Sequence, residues 1–102
     1  MHLSTNDRLL LQDFFAGLPV KKAFVFGSYA RNSAINKNSD LDILVELDHS
    51  TPIGMKFFSY QSELEQLMKR KVDLVSSEGL SKHVQPHIDM EKILIYERSG
   101  SR

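Results

Sequence analysis

The sequence predicts an α/β fold, a small mixed β-sheet with helices packed on it. Stretches with helical and with extended patterns alternate along the 102 residues, which is typical of α/β chains. Residues 55–70 form the longest helical stretch, and they are long enough to cross back between two parallel strands. A polar loop separates the two strand-like runs before that helix, which allows those runs to pair antiparallel. One sheet with both kinds of pairing is therefore expected.

The helical stretches are indicated by apolar residues at helical spacing and by their end signals. Ser4 and Asp7 form an S-x-x-D start signal ahead of the first apolar run, and Gly17 with Pro19 ends that run. The long stretch 55–70 has one apolar stripe, with most of its charged residues off that stripe. Two further helical stretches are expected, at residues 29–34 and at residues 81–92 with a restart at Pro86.

Strands are predicted where short apolar runs end at turn residues. They are expected at residues 21–27, 41–47, 72–77 and 93–96. The last run is also compatible with the end of the final helix. The polar residues 32–39, which include three Asn and two Ser, predict the loop between the first two strands. Because no linker or repeat interrupts the pattern, we expect a single domain over residues 1–97 and a polar tail over residues 98–102.

The composition excludes several classes of protein. Thirteen basic and thirteen acidic side chains cancel, so no overall positive field favours direct binding of nucleic acid. The chain has no cysteine, which rules out disulfides, thiolate metal sites and cysteine nucleophiles. No apolar run approaches the length of a membrane span, and the N-terminus lacks a signal-peptide core. We therefore expect a cytoplasmic domain without a membrane segment.

A pair of acids stands at the start of the second strand. Asp40 and Asp42 are two residues apart, so in a strand their side chains project from the same face. Placing two carboxylates beside an apolar run is costly unless they bind something. Carboxylate oxygens suit Mg²⁺, and acids of this kind can bridge a pair of such ions. On its own, a D-x-D tripeptide more often marks a solvated strand entry.

A third acid strengthens the metal interpretation. Asp73 stands at the start of the strand-like run 72–77, in the same kind of position as Asp40 and Asp42. If the two strands are neighbours, all three carboxylates converge on one cleft. Asp73 could then bind a second metal ion and accept a proton from an incoming hydroxyl.

A Gly-Ser turn after the first strand is a candidate phosphate site. Gly27 lets backbone N–H groups approach a phosphate closely, and the start of a helix adds a favourable dipole. The Ser28 hydroxyl can donate to a phosphate oxygen. Arg31 lies about one helical turn away, where it can contact phosphate or brace an acid. The alternative is that Gly27 and Ser28 cap a helix; the Walker A pattern is absent.

The combination of these motifs resembles the minimal nucleotidyltransferase (MNT) family, part of the DNA polymerase beta-like nucleotidyltransferase superfamily. GSYAR at residues 27–31, followed by SDLDILV at residues 39–45, is similar to the family pattern G-S-x-A-R…S-D-x-D-hydrophobic. The similarity extends over nearly the whole chain and implies a nucleotidyltransferase core of the polymerase beta-like kind. One departure is Asn32, where the family commonly has Gly; Asn tolerates left-handed backbone better than most residues.

The resemblance implies a role for each matching residue. The residues implied to bind the nucleotide are Gly27, Ser28, Arg31 and Ser39. The residues implied to be catalytic and to bind metal are Asp40, Asp42 and Asp73. The implied cofactor is Mg²⁺, as a pair of ions, and ATP is the implied nucleotide donor.

The resemblance also implies a reaction. Many MNT proteins are similar to antitoxins encoded beside HEPN-domain toxins, where the MNT protein transfers AMP from ATP to a tyrosine of the toxin. This implies a protein adenylyltransferase that forms a hetero-oligomer with a protein partner. The alternatives are a non-catalytic antitoxin that keeps the fold, and nucleotidyl transfer to a small molecule. The complete set Asp40, Asp42 and Asp73 favours the enzyme, because binding alone gives no reason for three clustered acids.

Overall fold

The computed structural model describes residues 3–31, 39–50 and 52–98, which form one four-stranded mixed β-sheet with three α-helices. The helices are α1 (Thr5–Ala16), α2 (Lys56–Met68) and α3 (Gln85–Glu91). The strands are β1 (Val20–Phe26), β2 (Leu41–Leu47), β3 (Val72–Ser76) and β4 (Ile93–Glu97). Short 3₁₀ turns occupy Gly27–Tyr29 and Ser77–Gly79.

The strands lie in the order β3-β2-β1-β4. β1 pairs antiparallel with β2 on one side and with β4 on the other. β2 and β3 are parallel, and α2 forms the crossover between them. The prediction of a mixed sheet is therefore confirmed, with the antiparallel pair before the long helix and the parallel pair across it. The last apolar run is a strand, which decides between the two alternatives for it.

Local signals in the sequence set the helix ends. The Asp7 N–H donates to Ser4 Oγ at 3.0 Å and the Ser4 N–H donates to the Asp7 carboxylate at 3.4 Å, which forms a capping box. α1 ends before Gly17, and α3 begins at Gln85 with Pro86 in its first turn. The predicted restart is confirmed, whereas residues 81–84 lie outside the helix. None of the helices in the described ranges has the length and apolar character needed to cross a membrane.

Helices cover both faces of the sheet. The main core lies between the sheet and the pair α1 and α2, and its buried members include Leu11, Phe15, Leu41, Ile43, Val45 and Leu64. On the other face, Leu44 packs with Phe24 and with Ile88 of α3. Because side chains alternate along a strand, Asp42 projects on the same face as Leu44, and Asp40 directly precedes the strand. Asp42 thus lies on the α3 face of the sheet.

Side chains of α2 protect the outer edge of β3. Gln61 Oε1 accepts a hydrogen bond from the Leu74 N–H, and Glu65 Oε2 accepts one from the Val72 N–H, both at 3.1 Å. β3 is the last strand on its side of the sheet, where N–H groups have no strand partner. The crossover helix thereby fixes the start of β3 and places Asp73 between its two bonded neighbours.

Replacement of Ile43 by Ala should destabilise the fold by about 2–5 kcal/mol, because Ile43 is fully buried in a central strand and the smaller side chain leaves a cavity. Leu94→Ala in the edge strand β4 is the matched control; Leu94 is 42% exposed, and the expected cost is about 1 kcal/mol or less. Urea denaturation measures both free energies of unfolding. Equal costs would contradict the placement of the main core on this face of β2.

Candidate active site

The end of β1 and the starts of β2 and β3 lie side by side, at the edge of the sheet where these strands end or begin. β1 ends at Phe26, which pairs with Asp42 near the start of β2, and Asp42 pairs in turn with Asp73 near the start of β3. Neighbouring strands lie about 4.7–4.9 Å apart, so the Gly-Ser turn after β1 and two of the predicted acids lie side by side. Asp40 directly precedes β2, and it is close enough to Asp42 for the two charges to interact.

Gly27 allows the turn to touch the Asp42 carboxylate. Its φ of 71° lies in the left-handed region that glycine adopts without steric cost. A Cβ atom at this position would collide with Asp42 Oδ2 and would lie 3.1 Å from Asp42 Cγ. Glycine is therefore required here for two reasons, its backbone conformation and the close approach of Asp42. The two sequence motifs are in direct contact.

The helix predicted at residues 29–34 is wrong in its described part. Gly27–Tyr29 form a short 3₁₀ turn, and the N–H groups of Ala30 and Arg31 both donate to the Gly27 carbonyl, at 3.0 and 3.2 Å. Residues 32–34 lie outside the described residues. The left-handed Gly27 and the burial of Tyr29 in the main core fix this tight turn. Because so short a turn has little dipole, any phosphate bound here would depend on individual donors.

The acids are close enough to affect one another. Burial, together with the negative charges of Asp73, Asp40 and Glu91, raises the pKa of Asp42 from 3.8 to about 6, against the lowering effect of Arg31. Asp42 is half-buried, whereas Asp40 and Asp73 are exposed. A bound cation would relieve the repulsion among these carboxylates. The electrostatics of this edge of the sheet therefore favour a positively charged ligand.

The donor atoms fit Mg²⁺ in kind but do not enclose an ion by themselves. Asp40, Asp42 and Asp73 offer carboxylate oxygens, which are ligands of the type that Mg²⁺ prefers. Across residues 3–31, 39–50 and 52–98, no three or more acidic or histidine side chains are arranged to hold a metal ion. Mg²⁺ is usually bound by one or two carboxylates and completed by water and substrate phosphates. The acids therefore fit a site that a nucleotide would complete.

Glu91 is a residue of this site that the sequence analysis missed. It is the last residue of α3; its Oε2 accepts a hydrogen bond from the Gly27 N–H at 2.7 Å, and its Oε1 accepts one from Arg31 Nη1 at 2.9 Å. In the sequence it stands in an ordinary charged stretch, 64 residues from Gly27. The pairing of β4 with β1 brings it to the turn. No local pattern in the sequence could have indicated this contact.

The two predicted serines stand on either side of residues 32–38, which are outside the described residues. Ser28 is half-buried in the 3₁₀ turn, and Ser39 is half-buried immediately before Asp40. Most of the predicted loop 32–39, including the departure at Asn32, therefore lies outside the described ranges. Ser28 is part of the turn, and Ser39 is next to the acid pair.

A groove elsewhere on the molecule contains none of these residues. It lies between α1 and β4, has a volume of about 610 Å³, and is lined in part by Arg8, Gln12 and residues 94–97. Small ligands often bind in such concave regions. The predicted site residues lie instead near the end of β1 and near the starts of β2 and β3.

Comparison with known proteins assigns the family. Residues 11–101 match the polymerase beta nucleotidyltransferase family. The chain belongs to this family. Over 77 residues, this nucleotidyltransferase is 46% identical to "Putative protein adenylyltransferase MJ0128" of Methanocaldococcus jannaschii, a match that covers 76% of each chain.

Solved structures agree with this assignment. A "putative minimal nucleotidyltransferase" matches with a TM-score of 0.70 and 30% identity, over 86% of this chain and 87% of that one. A toxin-antitoxin structure with AMP-PNP shares the fold, with a TM-score of 0.76 and 18% identity over 90% of this chain and 74% of the matched one. A chain in the structure of a tri-AMPylated Shewanella oneidensis HEPN toxin in complex with an MNT antitoxin also shares the fold, with a TM-score of 0.66 and 18% identity over 94% of this chain and 74% of that one. The predicted resemblance, fold and enzyme class are confirmed.

Gly27→Ala should destabilise this nucleotidyltransferase by roughly 2–5 kcal/mol, from the left-handed φ and from the collision with Asp42. Gly54→Ala is the matched control, because Gly54 has a similar φ of 55° but nothing within 4 Å of an added Cβ. It should cost only about 1–2 kcal/mol. Urea denaturation measures both variants.

The contact itself is tested by repeating Gly27→Ala in an Asp42→Ala background. Removing the carboxylate removes the colliding atoms, so the cost of Gly27→Ala should fall to that of Gly54→Ala. The same cost in both backgrounds would contradict the contact between the turn and Asp42.

The stability of the metal-free protein should depend on the protonation of Asp42. Because its folded pKa of about 6 lies above the ordinary 3.8, the folded state retains a proton that the unfolded state releases. The stability due to this proton is present below pH 4 and is lost as the pH rises through 6. Urea denaturation in a chelating buffer from pH 4 to pH 7 should show a smaller loss for Asp42→Asn than for the parent. Parallel pH profiles would contradict the raised pKa.

Proposed function

We propose that this nucleotidyltransferase transfers AMP from ATP to a hydroxyl group of a partner protein, with Mg²⁺ as its cofactor. The observation that carries the proposal is the contact between Gly27 and Asp42, with Asp73 in register beside Asp42. A turn suited to phosphate and a cluster of acids suited to cations share one edge of the sheet, as transfer of a phosphate-linked group requires. The name of the 46% identical relative supports AMP as the group transferred.

The turn and its neighbours are assigned to bind ATP. The Ser28 hydroxyl and the Arg31 guanidinium supply donors for phosphate oxygens beside Gly27, and Ser39 supplies a second hydroxyl beside the acid pair. Arginine can donate to several oxygens at once, so it can bind phosphate while it remains paired with Glu91. Together these groups would fix the nucleotide close to the acids.

The acids are assigned to the metal and to proton transfer. When bound by Asp40, Asp42 and Asp73, Mg²⁺ supplies positive charge that offsets the carboxylates and the phosphates. Asp73 is exposed and in register with Asp42, so it is open to an incoming acceptor. We assign Asp73 to accept the proton of the attacking hydroxyl.

The transfer is an in-line displacement at the α-phosphorus of ATP. The acceptor oxygen forms a bond to this phosphorus while the bond to the bridging oxygen of pyrophosphate breaks. The hydroxyl proton goes to Asp73, and pyrophosphate leaves with the bonding electrons. The products are an AMP ester of the acceptor and pyrophosphate.

We propose a tyrosine of a HEPN-domain toxin as the acceptor, which makes this protein the antitoxin of the pair. Structural neighbours that are toxin-antitoxin complexes, one of them with a tri-AMPylated HEPN toxin, support this kind of partner. The exposure of Asp40 and Asp73 suits an acceptor that another protein presents. The proposed assembly is a hetero-oligomer with the toxin in the cytoplasm, where ATP is available.

Incubation of the purified protein with its HEPN toxin, Mg²⁺ and ATP labelled at the α-phosphate should label the toxin on tyrosine. Asp42→Asn should lower the rate of labelling by roughly 100-fold or more, because it removes a charged metal ligand, and EDTA should abolish the signal. Asp13→Asn is the matched control, since Asp13 is an exposed acid of α1 outside the site. It should label the toxin at the parental rate.

The same assay separates the proposal from its alternatives. An unlabelled toxin that is still neutralised by an Asp40→Ala/Asp42→Ala variant would identify a binding antitoxin that needs no catalysis. Label on a small-molecule hydroxyl, with none on the toxin, would assign a different acceptor. Labelling that persists in EDTA would contradict the role of Mg²⁺.

A further inference from the structure

We propose that Glu91 is a positioning residue for the nucleotide, which holds the Gly-Ser turn and the Arg31 guanidinium ready for phosphate. The inference rests on the proposed function, because it requires the site to bind a nucleoside triphosphate. It adds an acid of α3 to a site that the sequence motifs place on residues 27–31, residues 39–42 and Asp73.

The two carboxylate oxygens of Glu91 have separate partners. Oε2 accepts from the Gly27 N–H at 2.7 Å, and Oε1 accepts from Arg31 Nη1 at 2.9 Å. Hydrogen bonds to a charged carboxylate are stronger than those between neutral groups. The Glu91 side chain is 24% exposed and that of Arg31 is 55% exposed, so the acid is the more enclosed of the two. The Glu91 side chain therefore links the Gly27 N–H, at the end of β1, to the Arg31 guanidinium.

The backbone on both sides of Glu91 is fixed by other contacts. Ile88, one turn earlier in α3, is buried against the sheet, and its carbonyl accepts from the Lys92 N–H at 2.8 Å. Ile93, two residues after Glu91, begins β4 and pairs with Val25 of β1. The Glu91 carboxylate is thus held at the end of β1 by both the helix and the strand.

This arrangement leaves Arg31 able to bind a second anion. The guanidinium has five N–H donors in a fixed plane, and the bond to Glu91 is made through Nη1. An exposed arginine that is already ordered loses less conformational freedom when it binds phosphate. Glu91 is therefore expected to strengthen nucleotide binding through Arg31.

A different role for Glu91 predicts the opposite result. If its carboxylate occupied the place of a phosphate, its removal would free the Gly27 N–H and Arg31 and would tighten nucleotide binding. Simple electrostatics also predicts tighter binding when a negative charge near a triphosphate is removed. The burial of Gly27 favours positioning, because a buried N–H needs a permanent acceptor and Glu91 provides it.

Isothermal titration with a non-hydrolysable ATP analogue and Mg²⁺ tests the proposal. Glu91→Ala should raise the Kd at least about tenfold, as expected for the loss of a hydrogen bond to a charged group, although it removes a negative charge. Asp89→Ala is the matched control, because it removes the same charge from an exposed position of the same helix. Its Kd should stay within about twofold of the parent.

Two further variants separate positioning from a general loss of structure. Glu91→Gln retains the length and one oxygen acceptor and should give an intermediate Kd. In an Arg31→Ala background, Glu91→Ala should raise the Kd by a much smaller factor, since the guanidinium that it positions is absent. Amide hydrogen exchange should become faster at Gly27 in Glu91→Ala while the core amides remain protected.

The outcomes distinguish this proposal from the proposed function. If the parent binds the analogue and both Glu91 variants bind it equally well or more tightly, the positioning role is wrong and the nucleotide site stands. If the parent does not bind the analogue, the proposed function fails and this inference fails with it. If Glu91→Ala does not fold, the Kd of Glu91→Gln decides between the two roles.

Discussion

At the end of β1, the Gly27 backbone packs directly against the carboxylate of Asp42, with no side chain between them. The rest of the site depends on this contact. β1 and β2 are antiparallel and paired up to Phe26, so any group that pushed Gly27 away from Asp42 would also disturb the last pair of the ladder. The parallel pairing of β2 with β3 then places Asp73 beside Asp42. A turn suited to phosphate and an acid cluster are thereby built from the hydrogen bonding of one sheet.

Repulsion within the acid cluster destabilises the folded protein when no cation is bound at this edge of the sheet. Burial and three neighbouring acids raise the pKa of Asp42, so its charged form is disfavoured in the folded protein. Proteins commonly accept such local costs at functional sites and compensate for them in the core. Here the compensation comes from buried apolar side chains on both faces of β2. The helix α3 has two roles. Ile88 packs against the sheet, and Glu91 accepts a hydrogen bond from the Gly27 N–H in the turn.

The parts of the fold that local patterns determine were predictable from the sequence. β2 spans Leu41–Leu47 as expected, because its apolar run is bounded by polar residues on both sides. The Ser4 capping box and the Pro86 restart depend on residues close in sequence, and both were found. The adjacency of Asp42 and Asp73 could be predicted only conditionally, since it requires β2 and β3 to be neighbours.

The features that sequence patterns missed depend on contacts between distant residues. A helix over residues 29–34 is a reasonable local expectation, but the left-handed Gly27 and the buried Tyr29 impose a 3₁₀ turn instead. Glu91 is separated from Gly27 by 64 residues, and the β1–β4 pairing brings them together. The raised pKa of Asp42 likewise depends mainly on its burial, which an isolated D-x-D motif does not determine.

In the proposed function, the Gly-Ser turn and the acid cluster bind one nucleotide together. A crystal structure of the protein with Mg²⁺ and a non-hydrolysable ATP analogue tests it most directly. We predict that the triphosphate lies against Gly27 and Ser28 and that the metal ion is bound to Asp40 and Asp42. A nucleotide bound in the groove between α1 and β4, with no metal ion at these acids, would contradict it.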